Sequence, residues 1–278
     1  MIIELLKAVV IGIVEGITEW LPISSSTHIE LACALMRTEY SEAFFSVFEV
    51  VIQLGAILAV IILYWKRLWP WAKKTELRKR RTFGLWLKII VAAIPAALVG
   101  LILDDWRDEH LGSMWIKVAA LVVYGVLFVV IERLRKGKDL SGAVREAEDI
   151  PLGTALKIGL FQLLSLIPGT SRSGSTILGG TLVGVSRKAA TEFSFFVAIP
   201  IMFGASGLKA VKYAAEGRLA FAPSETVSLI AATVTAFVVS MLVVRTLVGF
   251  IRSHSFEGFG WYRIVLGAAI AAWLLFGQ

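Results

Sequence analysis

The chain has 278 residues, of which 57% are hydrophobic and 18% are charged. Soluble globular domains carry about 25% charged residues, so this composition excludes an ordinary soluble enzyme and predicts an integral membrane protein. We interpret the net charge of +7 as a topology signal and expect no nucleic-acid partner, while the single cysteine, Cys33, excludes an internal disulfide.

The first 36 residues are apolar but are interrupted by the polar stretch EGITEWLPISSSTH at 15–28. Pro22 ends a helix there, and neither half is long enough to span a bilayer. Irregular backbone is not viable against lipid, so the break must face protein or a water-filled cavity. We therefore predict a re-entrant helical hairpin over 1–36.

Full transmembrane helices are predicted for six apolar stretches of spanning length. In chain order they are 43–65, 85–103, 115–131, 193–211, 226–244 and 261–276. Lys88 and Lys117 lie near the ends of their stretches and are expected to snorkel to the interface.

The loops give the orientation. The segment 66–81 has eight basic residues against Glu76 alone, and the next loop, DDWRDEH at 104–110, is mostly acidic. Basic loops stay in the cytoplasm, which puts 66–84 inside and 104–114 outside. Counting onward places 132–151 and 245–260 inside and 212–225 and the C-terminus outside.

A second broken apolar region, 152–190, is also predicted to be a re-entrant hairpin whose tip meets the first inside the bundle. IGIVEGITEWLPISSST (11–27) aligns with IGLFQLLSLIPGTSRSGST (158–176). We predict an all-α polytopic membrane protein, one domain over 1–278, built as an inverted repeat of about 1–131 and 152–276. Chance patterning of apolar segments is the alternative.

Glu15 and Glu19 are spaced i, i+4, which places both carboxylates on one helix face. Each buried charge costs about 2.5–3.5 kcal/mol in a membrane, so a cation, a water cavity or a shared proton must offset the pair. A hairpin lying at the interface with solvated carboxylates is the alternative.

After Pro22, hydroxyl side chains can cap the next helix, and freed N–H groups with hydroxyls at a helix start suit phosphate. Ordinary capping is the alternative for these residues, and a structural role is the alternative to a catalytic one for the histidine that follows. The residues are Ser24, Ser25, Ser26, Thr27 and His28.

The second break, PGTSRSGST at 168–176, holds Arg172 in an otherwise uncharged stretch between Lys157 and Arg187. A guanidinium binds phosphate oxygens as a bidentate fork, and simple pairing of Arg172 with Glu15 or Glu19 is the alternative. Glu49 and Gln53, again i, i+4, are expected to face the same cavity. The hydroxyl neighbours of Arg172 are Ser171, Ser173, Ser175 and Thr176.

Carboxylates suit a hard divalent metal, the arginine and hydroxyls suit phosphate, and the lipid surroundings suit a substrate with a hydrocarbon tail. Together these features predict metal-assisted phosphoryl hydrolysis on a polyprenyl carrier. A different class of function, a transporter or flippase for prenyl phosphate, is left open by the repeat.

EGITEWLPISSSTH and PGTSRSGST resemble the two signature motifs of undecaprenyl-pyrophosphate phosphatases, the bacitracin-resistance membrane enzymes. The likeness runs over nearly the whole chain and includes FEVVIQLGAILAV and VSRKAATEFSFFVAIP. The chain departs from the family at Ser26–Thr27, where members commonly carry Ser or Thr followed by Gly. The family's motifs fall on Glu15 and Glu19, on Ser24, Ser25 and His28, and on Ser171, Arg172, Ser173 and Thr176.

The resemblance implies removal of the terminal phosphate from undecaprenyl diphosphate, with a divalent cation (Mg or Ca) that Glu15 and Glu19 would hold. It also implies a pocket open to the outside of the bacterial cytoplasmic membrane. In the mechanism that we predict, Arg172 and the hydroxyls bind the diphosphate. Either Ser25 attacks the terminal phosphorus with His28 as its base, or His28 activates water. The partners would be the lipid substrate and membrane lipids, and a homodimer is left open.

Overall fold

The computed structural model describes residues 2–72, 75–136, 143–217 and 221–276. Its helices, in chain order, are α1 (Ile2–Thr18), α2 (Ser25–Met36), α3 (Glu42–Leu63), α4 (Trp65–Leu68), α5 (Glu76–Leu111), α6 (Met114–Arg135), α7 (Leu152–Gln162), α8 (Arg172–Leu182), α9 (Arg187–Ala215), α10 (Pro223–Ser253) and α11 (Glu257–Phe276). Short 3-10 turns lie at Pro70–Ala72, Ala147–Asp149 and Leu163–Leu166.

Six helices, α3, α5, α6, α9, α10 and α11, are long and apolar enough to cross a membrane. They contain five of the six predicted stretches, and the sixth, 43–65, extends two residues past the end of α3 at Leu63. The prediction of an all-α polytopic membrane protein is confirmed. Many apolar side chains on these helices are exposed, for example Ile62, Leu101 and Val265. Such faces are suited to lipid, where every backbone polar group must already be bonded within the helix.

The predicted helices were shorter than the observed helices at most of their ends. The loops assigned to 66–84 and 104–114 are largely helical, because α5 begins at Glu76 and continues to Leu111. Hydropathy detects only the part of a helix that faces lipid, whereas Arg, Lys and Glu are good helix formers and extend the helix into water. Parts of the predicted loops 66–84, 132–151 and 212–225, and residues 277–278, lie outside the described residues.

Each broken apolar region forms two short helices whose open ends lie together. In the first, the Lys7 ammonium near the start of α1 donates to the Arg37 carbonyl after α2 at 3.2 Å. In the second, Val144, ahead of α7, pairs with Val185, after α8. Both regions are therefore helical hairpins, and their re-entry into a membrane stays a prediction.

The two halves pack in a matching pattern. α1 packs on α10 as α7 packs on α5, and α3 packs on α9 while α6 packs on α11. α3 and α9 run antiparallel, because Ser206, late in α9, donates to the Val50 carbonyl, early in α3, while Glu192, early in α9, pairs with Arg67 beyond the end of α3. The repeat boundaries, about 1–131 and 152–276, stay a prediction.

Candidate active site

The two breaks meet in the interior of the bundle. We call residues 19–24 the first tip and residues 167–171 the second tip. The Ser173 hydroxyl, just after the second tip, contacts the carbonyls of Leu21 at 3.0 Å and Glu19 at 3.3 Å. Trp20 is fully buried and packs edge-to-face on Phe195 of α9, with ring centroids 5.1 Å apart.

Glu19 is the centre of the site. Its Oε1 accepts from Arg172 Nη2 at 2.8 Å and its Oε2 accepts from the Ser25 hydroxyl at 2.6 Å. Arg172 also donates through Nη1 to the Ser194 carbonyl of α9 at 3.0 Å. The structure thus brings together three of the residues that the sequence singled out, and pairing of Arg172 with a carboxylate is realised with Glu19.

A serine with a left-handed backbone precedes each second hairpin helix. Ser24, before α2, has φ 73°, and Ser171, before α8, has φ 76°. A non-glycine residue with this backbone conformation costs of order 1–3 kcal/mol, and such residues cluster at functional sites. The Ser171 hydroxyl accepts from the Gly174 N–H at 3.1 Å, whereas the Ser24 hydroxyl contacts Thr27 at 3.0 Å and does not cap α2.

Both α2 and α8 begin directly after these tips, so the free N–H groups of their first turns lie beside the Glu19–Arg172 pair. Such termini favour anions. Of the remaining hydroxyls, Ser26 lies at the edge of hydrogen-bonding distance from Ser24, at 3.5 Å, and Thr176 contacts Ser194 Oγ at 2.6 Å. Thr176 is fully buried, which indicates that it ties α8 to α9.

His28 is held at both ring nitrogens. A carbonyl can only accept, so Nδ1–H donates to the Ser24 carbonyl at 2.7 Å. In the neutral ring, Nε2 then accepts from the Tyr262 hydroxyl of α11 at 2.8 Å. Ser25 therefore has Glu19, not His28, as its hydrogen-bond acceptor.

Glu15 differs from Glu19. It is fully buried, and among the described residues neither of its carboxylate oxygens has a hydrogen-bond partner. Gln162, which occupies the aligned position in the second hairpin, is 1% exposed, and its amide also has no hydrogen-bond partner in the part of the chain that the structure describes. A buried carboxylate without a donor is suited to a cation, so the chemistry of Glu15 fits the predicted metal.

The structure does not join every predicted residue to the tips. Among the described residues, Glu49 and Gln53 form no hydrogen bond or ion pair with either tip, and their place in the site stays a prediction. Lys117 does not snorkel as expected, because it is buried and pairs with Glu30.

Two residues of α11, Tyr262 and Arg263, contact the site and were missed. Tyr262 bonds His28, and Arg263 is fully buried against both tips. A lone arginine inside the last apolar span was a usable signal, because charged residues within membranes are rare and usually functional.

Comparison with known proteins decides the family. The model of the family described as bacitracin resistance protein BacA matches residues 8–269. The chain belongs to this family. It is 50% identical to an undecaprenyl-diphosphatase of Streptococcus thermophilus, over 99% of this chain and 96% of the relative.

Two further relatives carry the same name. The undecaprenyl-diphosphatase of Lactiplantibacillus plantarum is 50% identical and that of Lacticaseibacillus paracasei is 47% identical, each over 96% of this chain and 97% of the relative. The resemblance noted from the two polar motifs is thereby confirmed across nearly the whole length of this BacA family member.

Proposed function

We propose that the protein hydrolyses undecaprenyl diphosphate to undecaprenyl phosphate and inorganic phosphate. The observation that carries this proposal is the buried constellation of Glu19, Ser25 and Arg172, at 2.6–2.8 Å, in a chain of the BacA family. The alternative of a prenyl-phosphate transporter gains no support, since the relatives are named as phosphatases.

Ser25 is the nucleophile in this proposal. Its hydroxyl already donates to Glu19 Oε2, so Glu19 accepts the proton while Ser25 Oγ bonds to the terminal phosphorus and the bond to the bridging oxygen breaks. Undecaprenyl phosphate leaves, and water then attacks the phosphoserine to release inorganic phosphate and restore Ser25.

Arg172 and the two helix N-termini bind the diphosphate. A guanidinium has five N–H donors, and contacts to Glu19 and Ser194 use two of them. Three donors are left for phosphate oxygens, where charge develops in the transition state. Ser24, Ser26, Ser171 and Ser173 would line this anion site.

His28 is oriented by Ser24 and Tyr262. In this proposal it acts as an acid–base group for the leaving oxygen or for water. Direct attack by water that His28 activates is the competing mechanism. Rapid quenching distinguishes the two, because only attack by Ser25 forms a phosphoserine adduct.

A divalent cation, Mg or Ca, is proposed at Glu15 and Glu19. Glu15 supplies two oxygens without donors. Within the described ranges no three His, Cys, Asp or Glu side chains could hold a metal alone, so phosphate oxygens of the substrate would complete the coordination. A bound cation would neutralise the phosphate charge.

We place the protein in the bacterial cytoplasmic membrane, with the site open to the outer side. The basic segment 66–81 supports an inside position for the α3–α5 link, and hence an outside position for the open end of the first hairpin. In a Cys33→Ser background, a membrane-impermeant thiol reagent should label Thr38→Cys in intact cells but not Glu146→Cys. The reverse pattern would contradict the orientation, and a homodimer stays a prediction.

The reaction is tested by phosphate release from undecaprenyl diphosphate in detergent, with and without EDTA. The wild-type protein should release phosphate, Arg172→Ala should not, and Arg145→Ala, at an exposed arginine, should match the wild type. Turnover by Arg172→Ala at the wild-type rate would refute the site.

A further inference from the structure

Arg263 on α11 is a fully buried arginine. Its exposed fraction is 0%, and throughout the described part of the chain no carboxylate lies within ion-pair distance of it. A charged group inside a membrane protein is costly unless other groups compensate for it. The contacts of Arg263 show what compensates here.

Every N–H of the guanidinium donates to a backbone carbonyl. An arginine has five such donors in a planar fork, and five carbonyls surround this one. Nη1 donates to Pro22 and Thr170, both at 3.0 Å, Nη2 to Gly169 at 2.9 Å and Ala120 at 3.3 Å, and Nε to Leu121 at 3.4 Å.

These carbonyls belong to three separate parts of the chain. Pro22 lies in the first tip, two residues before Ser24, and Gly169 and Thr170 lie in the second tip, directly before Ser171. The other two carbonyls belong to α6. The tips are also joined by Ser173 and by the Glu19–Arg172 pair.

We infer that Arg263 is a positioning residue that fixes the separation of the two tips, and thereby the distance between Ser25, directly after the first tip, and Arg172, directly after the second. The inference rests on the proposed function, in which these two side chains act on one diphosphate. Arg263 itself is buried and donates its hydrogen bonds to backbone carbonyls, so it acts through the tips.

A lysine cannot replace this contact. Its ammonium has three donors at one point, whereas the guanidinium spreads five donors over a plane and reaches both tips at once. Arg263→Lys therefore keeps the charge but releases carbonyls of the tips. A misplacement of about 1 Å at a reacting centre costs up to about 100-fold in rate.

We expect Arg263→Lys to lower kcat by about 10- to 100-fold with a nearly unchanged KM, since Arg172 and the helix N-termini still bind the diphosphate. The matched control is Ile270→Ala on the same helix, which removes a buried side chain packed against Val118 and Leu121 of α6 and leaves the guanidinium of Arg263 intact. Both are assayed as folded protein below their unfolding temperatures. A merely structural role predicts that both keep the wild-type kcat, and that result would overturn the inference.

Should Arg263→Lys fail to fold, Tyr124→Leu provides a second variant. It leaves Arg263 in place but removes the ring 5.8 Å from its guanidinium carbon. We expect kcat to fall several-fold, and an unchanged kcat in the folded variant would contradict the inference. Arg172→Ala separates the two proposals: if it is inactive while Arg263→Lys is fully active, only the role of Arg263 is wrong, whereas an active Arg172→Ala removes the proposed site itself.

Discussion

Arg172 and Glu19 are 153 residues apart in the sequence and form a buried ion pair, with Nη2 2.8 Å from Oε1. Their side chains are 13% and 7% exposed, respectively. Removing one partner of a buried pair costs about 3–5 kcal/mol, because the other charge is left uncompensated. The pair therefore contributes to the meeting of the tips as well as to the proposed chemistry.

Glu19→Gln tests the proposed chemistry of this residue. The amide keeps the shape and can still accept from Arg172, but it cannot take the proton of Ser25. We expect the folded variant to lose at least about 100-fold in kcat. Phosphate release measures the loss, and Glu39→Gln, at an exposed residue between α2 and α3, is the control and should be fully active.

Glu15→Gln tests the cation. Because the buried Glu15 oxygens accept from no donor within the described ranges, a cation that binds there should raise the unfolding temperature of the wild-type protein. Glu15→Gln should lose this rise and should need about tenfold more cation for half-maximal activity. Glu4→Gln, on the exposed start of the same helix, should behave as wild type, and an equal cation-induced rise in Glu15→Gln would argue against the site.

Tyr262→Phe removes only the hydroxyl that holds His28 Nε2. A hydrogen bond of this kind contributes about 1 kcal/mol, so a several-fold drop in kcat is expected, with no loss of folded protein. Trp261→Phe changes the preceding exposed residue, which contacts Glu257 and Arg133 instead. If both variants keep the wild-type kcat, Tyr262 has no role in orienting His28.

Much of this arrangement was predictable from the sequence because its signals are local. Spans appear as apolar runs, and the breaks appear as Pro22 and Pro168 followed by hydroxyl residues. Pairing of Arg172 with a carboxylate was only the alternative to phosphate binding, and the sequence did not choose between Glu15 and Glu19, although opposite charges buried in one membrane domain are expected to pair.

The contributions of α11 could not be predicted in the same way. Which helix packs against the tips depends on tertiary contacts such as those between α6 and α11, where Gly125 and Gly260 allow close approach. Without knowledge of how α6 and α11 pack, Tyr262 is one of many aromatic residues near a membrane interface. The burial of Lys117 was missed for the same reason, since its partner Glu30 lies on a helix that is distant in sequence.

Glu148 provides a test of pH dependence outside the membrane spans. Burial opposes its charge, but hydrogen bonds from Arg67 at 2.7 and 2.8 Å outweigh burial and lower the pKa of the Glu148 carboxyl. A carboxyl with a lowered folded pKa stabilises the fold above its unfolded value, here near 4.5, and this stabilisation is lost as the pH falls through the folded value.

Glu148→Gln should therefore lower the unfolding temperature at pH 7, and the difference from wild type should shrink as the pH falls below 4.5. Glu146→Gln is the control, because the Glu146 side chain, which pairs with Lys188, is 48% exposed, against 18% for Glu148. A difference from wild type that stays constant across this range would show that the charge of Glu148 is not the cause.

Gly159 tests the packing that carries the second hairpin. A Cβ at this position would lie 2.4 Å from the Ala92 carbonyl oxygen of α5, and one at Gly12, the aligned position, would lie 2.5 Å from the Ala232 carbonyl oxygen of α10. Neither the α5 nor the α10 backbone can move without a cost in energy, so Gly159→Ala must push α7 away from α5. We expect this change to destabilise the protein by about 1–3 kcal/mol. Gly153→Ala, on the same helix with nothing within 4 Å, should be neutral or stabilise by up to about 1 kcal/mol. Thermal unfolding in detergent measures both, and equal unfolding temperatures for the two variants would mean that α7 does not need this close approach to hold its tip.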